Sequence, residues 1–432
     1  MLNIFQNNPT PDSRRFLFLQ GLMGPFFHEI GKALRKTGYE VYKINFNGGD
    51  QLFWRLPHGI AFTGSMDEWP GFLTNVIMKY GITDVMLFGD CRPLHRKAAA
   101  VCTERGLRVY VFEEGYIRPD WVTLELDGVN GHSSLPRDPA WYREQAARLP
   151  PLPPHVQVPS SFRRRALEAV AYNAADLLTR WHFKNWHDYR PWHPWTEGIG
   201  WVKRLWRRDA ARERTEKILA EVADRNLPYM LFPLQLDADA QIRLHSSFDG
   251  IAGAIQVVLG SFAQHAPKDL YLLVKEHPLD NGVKDWNALV NATARKFGIA
   301  DRVRYLESGD IAQMVRAAKG VVTINSTTGT LALICNVPVI TLGQAIYDLP
   351  DITDQGTLAH FWSDPTPPDP KTFEDFRRVL IDRCLIEGGF FSPEGLKLLV
   401  QGTLRRISRT TPPEDGKVFT ISHLETSSSS PR

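Results

Sequence analysis

The feature that most constrains this chain is the alternation of short apolar runs with segments of helical spacing. The predicted strands are Phe16–Leu19, Tyr39–Asn45, Asp84–Phe88, Arg108–Phe112, Pro228–Leu234, Tyr271–Lys275, Val303–Leu306, Gly320–Ile324 and Pro338–Thr341. Strands that alternate with helices at this spacing predict an α/β fold with parallel sheets and helices on both sheet faces. A last helical segment is predicted over residues 373–407.

The chain has 432 residues, which exceeds the length of one typical domain. The alternation of strands and helices is interrupted once, near the middle. Residues 134–159 are rich in proline, and residues 162–208 hold six of the twelve tryptophans together with ten Lys/Arg and four Asp/Glu. We therefore predict an N-terminal domain over 1–208 that includes the Trp/Arg-rich insert, and a C-terminal domain over 209–408. The tail over 409–432 has a composition typical of disorder.

The Trp/Arg-rich insert, residues 162–208, admits three interpretations: an ordinary core segment, a membrane-surface patch or a nucleic-acid site. Tryptophan rings favour the headgroup depth of a bilayer and basic side chains favour anionic lipid, so contact with a membrane surface is the preferred interpretation and nucleic acid the least favoured. No apolar run reaches the ~20 residues that a membrane-spanning helix needs, so we expect membrane contact to be peripheral.

The N-terminus and the cysteines indicate a cytoplasmic protein. The first residues are polar and lack the apolar stretch of a secretory signal. The four cysteines form no C-x-x-C pair and none has a histidine at zinc-like spacing, which favours reduced structural thiols in a reducing compartment. The net charge of +3 is compatible with an anionic ligand or membrane but requires neither.

Polar residues cluster where five of the predicted strands end. Ligands of open parallel sheets bind outside the carboxyl ends of the strands. The clustered residues are Asp90, Arg92, Glu113, Glu114, Gln235, Asp237, Asp239, Glu276, His277, Pro278, Asn325, Ser326, Thr327 and Thr328. Five such clusters over both halves predict two sheets whose carboxyl edges face one cleft.

The hydroxyl-rich segment Asn325, Ser326, Thr327 and Thr328 favours anion binding. Plain capping of the following helix by serine or threonine is the simpler explanation. Three hydroxyls exceed what one cap needs, and the free N–H groups and positive end of a helix suit a phosphate.

The KEHP segment predicts a second contribution to this phosphate site. Pro278 holds the backbone of His277 extended as the strand ends, which aims the imidazole outward. Lys275 shares that face if the strand stays regular. His277 alone is compatible with an ordinary surface residue, whereas beside a hydroxyl-rich helix end it predicts a phosphate clamp.

Two carboxylate pairs are candidates for catalysis. Glu113 and Glu114 are adjacent on an extended chain and point to opposite faces, so we expect one of them to enter the cleft, with a solvated acidic turn as the alternative. Asp237 and Asp239 resemble the D-x-D metal site of many glycosyltransferases. A carboxylate nucleophile or general base is the competing role for this pair.

Seven segments occur in order between about residues 15 and 345: LFLQGLMGPFFHEIGKAL, INFNGGD, FGDCRP, VFEEGYIRPDW, PLQLDADAQI, KEHP and NSTTG. In this combination the chain resembles the KpsS/LipB capsule polysaccharide biosynthesis family of Gram-negative bacteria. The resemblance implies a retaining β-Kdo transferase with a GT-B-like arrangement of two Rossmann-like domains. It also implies CMP-Kdo as donor and a phosphatidylglycerol-type lipid as acceptor, on which a poly-Kdo linker for capsular polysaccharide export begins.

The resemblance also implies roles for individual residues. Related Kdo transferases and bacterial sialyltransferases share an acidic-Gly, a His-Pro and a Ser/Thr motif. The matching residues are Glu113, Glu114 and Gly115, then His277 and Pro278, then Ser326, Thr327 and Thr328. The Q-x-x-x-D pattern of Gln235 to Asp239 points to Asp239 over Asp237 as the nucleophile.

These roles imply a double displacement without a metal ion or other cofactor. Asp239 attacks the anomeric carbon while CMP leaves, and the leaving phosphate is stabilised by His277 and the Ser/Thr helix end. Glu113, preferred over Glu114 by motif position, then deprotonates the acceptor. Asp90, Arg92 and Gln235 are expected to line the pocket with Asn325 and Lys275, and Arg92 suits the Kdo carboxylate.

Two alternatives remain open at the level of sequence. One is a non-catalytic component of capsule export or assembly, and the other is an inverting transferase that uses another nucleotide sugar. The preferred interpretation places the protein at the inner face of the inner membrane, with CMP-Kdo, an anionic phospholipid and a capsule biosynthesis complex as partners.

Overall fold

The computed structural model describes residues 14–152, 157–187, 192 and 194–409. Its first α/β unit contains the strands β1 (Arg15–Phe18), β2 (Glu40–Asn45), β3 (Gly59–Ala61), β4 (Asp84–Phe88), β5 (Arg108–Glu114) and β6 (Trp121–Leu126). The helices of this unit are α1 (Phe26–Lys36), α2 (Gly48–Phe53), α3 (Trp69–Tyr80), α4 (Pro93–Glu104) and α5 (Pro139–Ala147). A short 3₁₀ turn, Asn130–His132, follows β6.

The strands β1 to β5 run parallel to their neighbours, and β6 pairs antiparallel with β5. Helices cover both faces of this sheet, so its central strands are continuous apolar runs rather than alternating ones. Phe16, Leu17 and Phe18 of β1, for example, are all fully buried. This burial on both faces is why β1, β2, β4 and β5 could be predicted from the sequence, whereas β3 and β6 were not predicted.

Two helices connect the units: α6 (Phe162–Thr179) and α7 (Pro194–Asp224). The sequence placed a domain boundary between residues 208 and 209, but the 31-residue helix α7 runs through that point without interruption. The second half of the Trp/Arg-rich insert and the start of the C-terminal unit are therefore one helix.

The second unit contains the strands β7 (Tyr229–Pro233), β8 (Tyr271–Lys275), β9 (Val303–Leu306), β10 (Gly320–Thr323) and β11 (Val339–Thr341). Its helices are α8 (Ala240–His245), α9 (Ile251–His265), α10 (Trp286–Lys296), α11 (Ile311–Ala317), α12 (Thr327–Ile334) and α13 (Leu358–Phe361). All neighbouring strands are parallel, in the order β11-β10-β7-β8-β9. The predicted α/β class with parallel sheets is confirmed.

The chain then returns to the first unit through α14 (Pro370–Arg383), β12 (Leu385–Glu387) and α15 (Pro393–Arg409). Strand β12 pairs antiparallel with β6 and completes a seven-stranded sheet of order β12-β6-β5-β4-β1-β2-β3. The segment 373–407 predicted as helical is mostly helix but is interrupted by β12, and the span 209–408 predicted as one domain contributes to both sheets.

The return has a physical reason. An edge strand such as β6 exposes unpaired N–H and C=O groups, and β12 satisfies them. Leu396, Leu399 and Ile407 of α15 are buried in one apolar cluster with Phe26 and Ile30 of α1. The predicted tail 409–432 lies outside the described residues, except for Arg409 at the end of α15.

The carboxyl edges of the two sheets meet in a cleft. After β4, the thiol of Cys91 lies 3.4 Å from Nε2 of His245 at the end of α8. Within the described parts of the chain, no helix combines the length and apolar character needed to cross a bilayer.

Candidate active site

Glu113 and Glu114, the last two residues of β5, have different surroundings. The Glu114 carboxylate pairs with two arginines, at 2.9 Å from Arg118 Nη1 and 3.4 Å from Arg165 Nη2. The Glu113 carboxylate accepts a hydrogen bond from the Glu114 backbone N–H at 3.0 Å. Burial, together with the negative charges of Glu114 and Asp239, raises the pKa of Glu113 to about 7. A carboxylate that titrates near neutrality has the property of a general base.

Asp237 and Asp239 also differ in their contacts. Asp237 is buried and has a structural role. It accepts a hydrogen bond from Ile251 N at 3.1 Å and pairs with Lys284 Nζ at 2.7 Å. Asp239 caps helix α8 by accepting a hydrogen bond from Gln241 N at 2.9 Å. Burial raises the pKa of Asp239 despite this hydrogen bond. The Lys284 pairing leaves Asp237 unsuited to hold a divalent ion jointly with Asp239.

Gln235 links Asp239 to the hydroxyl-rich helix end. The Gln235 side chain faces Asp239 and acts to lower the pKa of that carboxyl, against the larger effect of burial. It also donates from Nε2 to Asn325 Oδ1 at 2.8 Å and accepts from Asn325 N at 3.1 Å. Asn325 directly precedes Ser326, the N-cap of α12, whose Oγ accepts from Thr328 N at 3.2 Å. Gln235 thus lies between the predicted nucleophile and the predicted phosphate site, and it is hydrogen-bonded to the latter.

Helix α12 begins at the cleft as the sequence suggested. Asn325, Ser326, Thr327 and Thr328 are all partly exposed, so their polar groups are accessible. The Ser326 backbone carbonyl is fixed from behind by the Tyr347 hydroxyl at 2.5 Å. The cap contact and accessibility are compatible with both capping and anion binding, because a capped helix end still presents free N–H groups.

His277 lies after β8 in a defined tautomer. Its Nδ1 accepts a hydrogen bond from Leu279 N at 3.0 Å, so the ring proton resides on Nε2. Burial, with the nearby cations Arg118, Lys275 and Arg204, lowers the pKa of His277 to about 4. At neutral pH the imidazole is therefore an uncharged donor with Nε2–H. Pro278, the next residue, is exposed.

Lys275 and Glu276 lie beneath this histidine. Lys275 is buried, and its Nζ donates to the Glu276 carbonyl at 2.6 Å. Burial lowers the pKa of Lys275 to about 8. Arg204 of α7 pairs with the Glu276 carboxylate at 3.2 Å and donates to the His277 carbonyl at 3.3 Å. Through Arg204, the Trp/Arg-rich insert therefore contacts the segment of Glu276 and His277 directly.

Asp90 and Arg92 follow β4, and both side chains make hydrogen bonds to other parts of the protein. Asp90 is buried, and its Oδ2 accepts from Val129 N and from His132 Nδ1, each at 3.0 Å. Burial opposes ionisation, but these hydrogen bonds outweigh it and hold the pKa of Asp90 below its usual value. Arg92 donates to Gln20 Oε1 at 2.8 Å, and its positive charge still reaches Glu113.

Arg118 is a site residue that sequence reasoning missed. Its guanidinium pairs with Glu114, and its charge acts on both Asp239 and His277 across the cleft. About half of its side chain is exposed, which leaves it available to an anionic ligand. The only signal in the sequence was its position in the segment GYIRPDW, three residues after the acidic-Gly motif.

The Trp/Arg-rich insert exposes much of its apolar surface. Trp195 and Trp206 of α7 are 73% and 86% exposed, and Trp181 after α6 is 73% exposed. Exposed apolar residues recur with helical spacing in α6 at Leu167, Val170, Leu177 and Leu178 and in α7 at Trp195, Ile199, Val202 and Trp206. The core interpretation is therefore wrong for these tryptophans, whereas Trp186 packs against the core.

Two α/β units whose parallel sheets face one cleft define a GT-B-type, glycosyltransferase-like fold. The model of the family described as "Capsule polysaccharide biosynthesis protein" matches residues 83–391. The chain belongs to this capsule polysaccharide biosynthesis family, as its ordered segments predicted.

Two curated relatives, KpsS and LipB, support this membership. The chain is 36% identical to the capsule polysaccharide export protein KpsS of Escherichia coli over 384 residues, which cover 88% of this chain and 97% of KpsS. It is 35% identical to the capsule polysaccharide modification protein LipB of Neisseria meningitidis serogroup B over 400 residues, 89% of this chain and 93% of LipB. The solved structure of Thermosulfurimonas dismutans KpsC, a beta Kdo 2,7 transferase, aligns over 91% of this chain and 99% of KpsC, with 12% identity and a TM-score of 0.45.

Proposed function

We propose that this protein transfers Kdo from CMP-Kdo to a phosphatidylglycerol-type lipid and retains the configuration of the sugar. The observation that carries the proposal is the pair Glu113 and Asp239, which come from opposite sides of the cleft. The charge of Asp239 helps to raise the pKa of Glu113. A retaining double displacement needs one carboxylate as nucleophile and another group for proton transfer.

In the first step, Asp239 attacks the anomeric carbon of Kdo, and the bond from that carbon to the CMP phosphate oxygen breaks. CMP leaves with the bonding electron pair as an anion. The Nε2–H of His277 and the N–H groups at the start of α12 are fixed donors for that anion, which is supported by the Leu279 and Ser326 contacts. These groups supply the stabilisation without a metal ion or cofactor.

In the second step, Glu113 takes the proton of the acceptor hydroxyl, and the acceptor oxygen attacks the glycosyl-enzyme. The bond to Asp239 breaks, and its carboxylate is regenerated. Arg92 and Arg118, on the N-terminal side of the cleft, are suited to the carboxylate of Kdo, because a guanidinium offers paired donors to a planar anion.

The acceptor arrives at a membrane surface in this proposal. The exposed apolar stripe of α6 and α7 is flanked by the exposed basic residues Arg163, Arg180, Lys184, Lys203, Arg207 and Arg208. Apolar rings with flanking cations suit the interface of an anionic bilayer. We therefore place the protein at the inner face of the inner membrane, in a capsule biosynthesis pathway.

The test is incubation of Asp239→Ala with CMP-Kdo and lysophosphatidylglycerol, followed by mass spectrometry of the lipid. We expect wild-type protein to add Kdo and Asp239→Ala to lose transfer by at least about 10³-fold, because the nucleophile is gone. Asp237→Asn is the matched control and should keep transfer while its melting temperature falls, since it loses only the Lys284 pair.

Three outcomes would count against parts of this proposal. Wild-type-like transfer by Asp239→Ala would remove the nucleophile assignment. A product with inverted anomeric configuration by NMR would replace double displacement with direct displacement. Absence of transfer by wild-type protein across CMP- and UDP-sugars would favour the non-catalytic export component.

A further inference from the structure

We propose that Cys91, His132 and His245 form a binding site for a divalent transition-metal ion of the zinc class, which joins the two domains. The three residues come from separate elements: Cys91 follows β4, His132 ends the 3₁₀ turn after β6, and His245 ends α8. One ligand atom from each residue lies within 4.8 Å of the others. This site is independent of the proposed sugar transfer.

The first support is distance. Zinc binds sulfur at about 2.3 Å and imidazole nitrogen at about 2.0–2.1 Å in tetrahedral geometry, which places such ligand atoms roughly 3.5 Å apart. Cys91 Sγ and His245 Nε2 are 3.4 Å apart. The ring centroids of His132 and His245 are 4.6 Å apart and the rings are nearly perpendicular. Small rotations of half-exposed His132 suffice to complete the set.

The second support is the orientation of both imidazoles by outer partners. The Nδ1 of His132 lies 3.0 Å from Asp90 Oδ2, and a carboxylate can only accept there, so Nδ1–H donates and Nε2 is left as a lone-pair ligand. The Gln344 side chain lies on the Nδ1 side of His245, since His245 Nδ1 and Gln344 Oε1 lie 2.2 and 2.9 Å from one point, the position of a Cβ on Gly131. Metal-binding histidines in proteins are held in this way, with the second ring nitrogen donating to a carboxylate or carbonyl oxygen.

The third support is a close approach that only glycine permits. A Cβ atom on Gly131 would lie 2.2 Å from His245 Nδ1 and 2.9 Å from Gln344 Oε1. The backbone of the 3₁₀ turn therefore sits directly against the outer side of the His245 ring. The same turn carries His132, whose ring centroid lies 4.6 Å from that of His245.

The chemistry of the cluster fits a cation. Cys91 and His245 are buried, and one thiolate sulfur with two imidazole nitrogens is a ligand set that ions of the zinc class prefer. Binding forms a bond from Cys91 Sγ to the ion, and the thiol proton is released to solvent. Half of the His132 side chain is exposed, which provides an entry path and room for a water as fourth ligand.

The cluster lies between the two units, so a bound ion would have a structural role. It would connect the loops after β4 and β6 of the N-terminal unit to α8 of the C-terminal unit. The N-cap of α8 is Asp239, and the charges of Asp239 and Glu113 both reach Cys91. A bound ion would therefore fix the separation of the two sides of the cleft.

The experiment uses the full chain, stripped with a chelator and titrated with Co²⁺ or Zn²⁺ alone. We expect one metal ion per chain by elemental analysis, a near-ultraviolet absorption band of a Co²⁺–thiolate bond, and a melting temperature raised by about 3 °C or more at saturating Zn²⁺. Cys91→Ser should abolish the thiolate band, and Asp90→Asn should weaken metal affinity about 10-fold or more.

Cys102→Ser is the matched control, because Cys102 is also buried but lies outside the cluster, and it should keep the band and the stoichiometry. His132→Gln tests the site in a half-exposed position if Cys91→Ser fails to fold, and it should lower the affinity for Co²⁺ at least about 10-fold. Wild-type protein that retains no stoichiometric metal, or variants at Cys91 and His132 that bind it unchanged, would overturn the proposal and leave a plain Cys91–His245 hydrogen bond.

Discussion

The two sides of the cleft differ in the kind of polar group they present. The N-terminal side presents acidic and basic side chains: Glu114 pairs with Arg118, and the charge of Glu114 acts on Glu113. Beside the Asp239 carboxyl group, the C-terminal side presents neutral donors, the Nε2–H of His277 and the hydroxyl-rich start of α12. The difference suggests a division of labour in which proton transfer belongs to one side and stabilisation of a leaving anion to the other.

The largest effect on this difference between the two sides is expected when the adjacent residues Glu113 and Glu114 are replaced one at a time. Glu113→Gln should lower transfer by about 10²–10⁴-fold, because the general base is lost. The pKa of Glu113 is raised to about 7, so its basic form is populated above that pH and protonated below it. The wild-type rate should therefore rise with pH through about 7, and steady-state pH profiles would check this.

Glu114→Gln is the control for this prediction. It should retain a rise with pH, moved to lower pH because the Glu114 charge no longer raises the pKa of Glu113. It should lose activity only modestly, because Glu114 serves the pairs with Arg118 and Arg165. A profile that flattens in Glu114→Gln but persists in Glu113→Gln would reverse the assignment of the base.

A smaller effect is expected on the C-terminal side. His277→Phe should lower kcat/KM for the donor by about 10²–10³-fold, because one fixed hydrogen-bond donor to the leaving phosphate is lost. The pKa of His277 is lowered to about 4, so its donor form does not change between pH 6 and 8. His277→Phe should therefore retain the pH dependence assigned to Glu113, as measured by initial rates over that range.

His277→Gln is the matched variant, since its amide can still donate, and it should recover part of the loss. Equal defects in both variants, or a pH profile that changes with His277, would show that the histidine does more than donate a hydrogen bond. The division between the two sides of the cleft would then fail.

The smallest effect is expected outside the cleft. Replacement of Trp195 and Trp206 by serine should weaken binding to anionic vesicles several-fold, because each exposed ring removes apolar area from the interface. Co-sedimentation with phosphatidylglycerol vesicles at rising salt would measure it, and the wild-type affinity should fall with ionic strength.

Met78→Ser is the control, because Met78 is equally exposed at 73% but lies on α3, away from the insert. Vesicle binding that is unchanged in the tryptophan variant would remove the membrane from the proposal while leaving the cleft chemistry intact.

Most of the fold could be predicted because burial on both faces of parallel sheets produces unmistakable apolar runs. The exceptions are elements whose formation depends on distant partners. Strand β12 is three residues long and exists because β6 offers an edge. Helix α7 continues through residues 208 and 209 because nothing local ends it, and the change in composition at that point was misleading.

The positions of Glu113, Asp239 and His277 beside the cleft could be predicted, because polar residues there follow apolar strands, and their catalytic roles stay predictions. What the sequence could not supply were contacts between segments far apart in the chain. Arg204 reaches His277 over 73 positions, and Cys91 reaches His245 over 154. The absence of zinc-like spacing around the cysteines led to an expectation of purely structural thiols, yet the fold places Cys91 beside two histidines.

The pairing of β12 with β6 has a consequence for how the chain is made. The ribosome releases the N-terminal residues first, but the sheet that holds Glu113 acquires its last strand only after residue 387 has been synthesised. During translation the β6 edge of the first sheet therefore stays unpaired until the entire second unit has been synthesised. A fragment that ends before β12 would carry that open edge permanently, so we expect it to self-associate rather than behave as an independent domain.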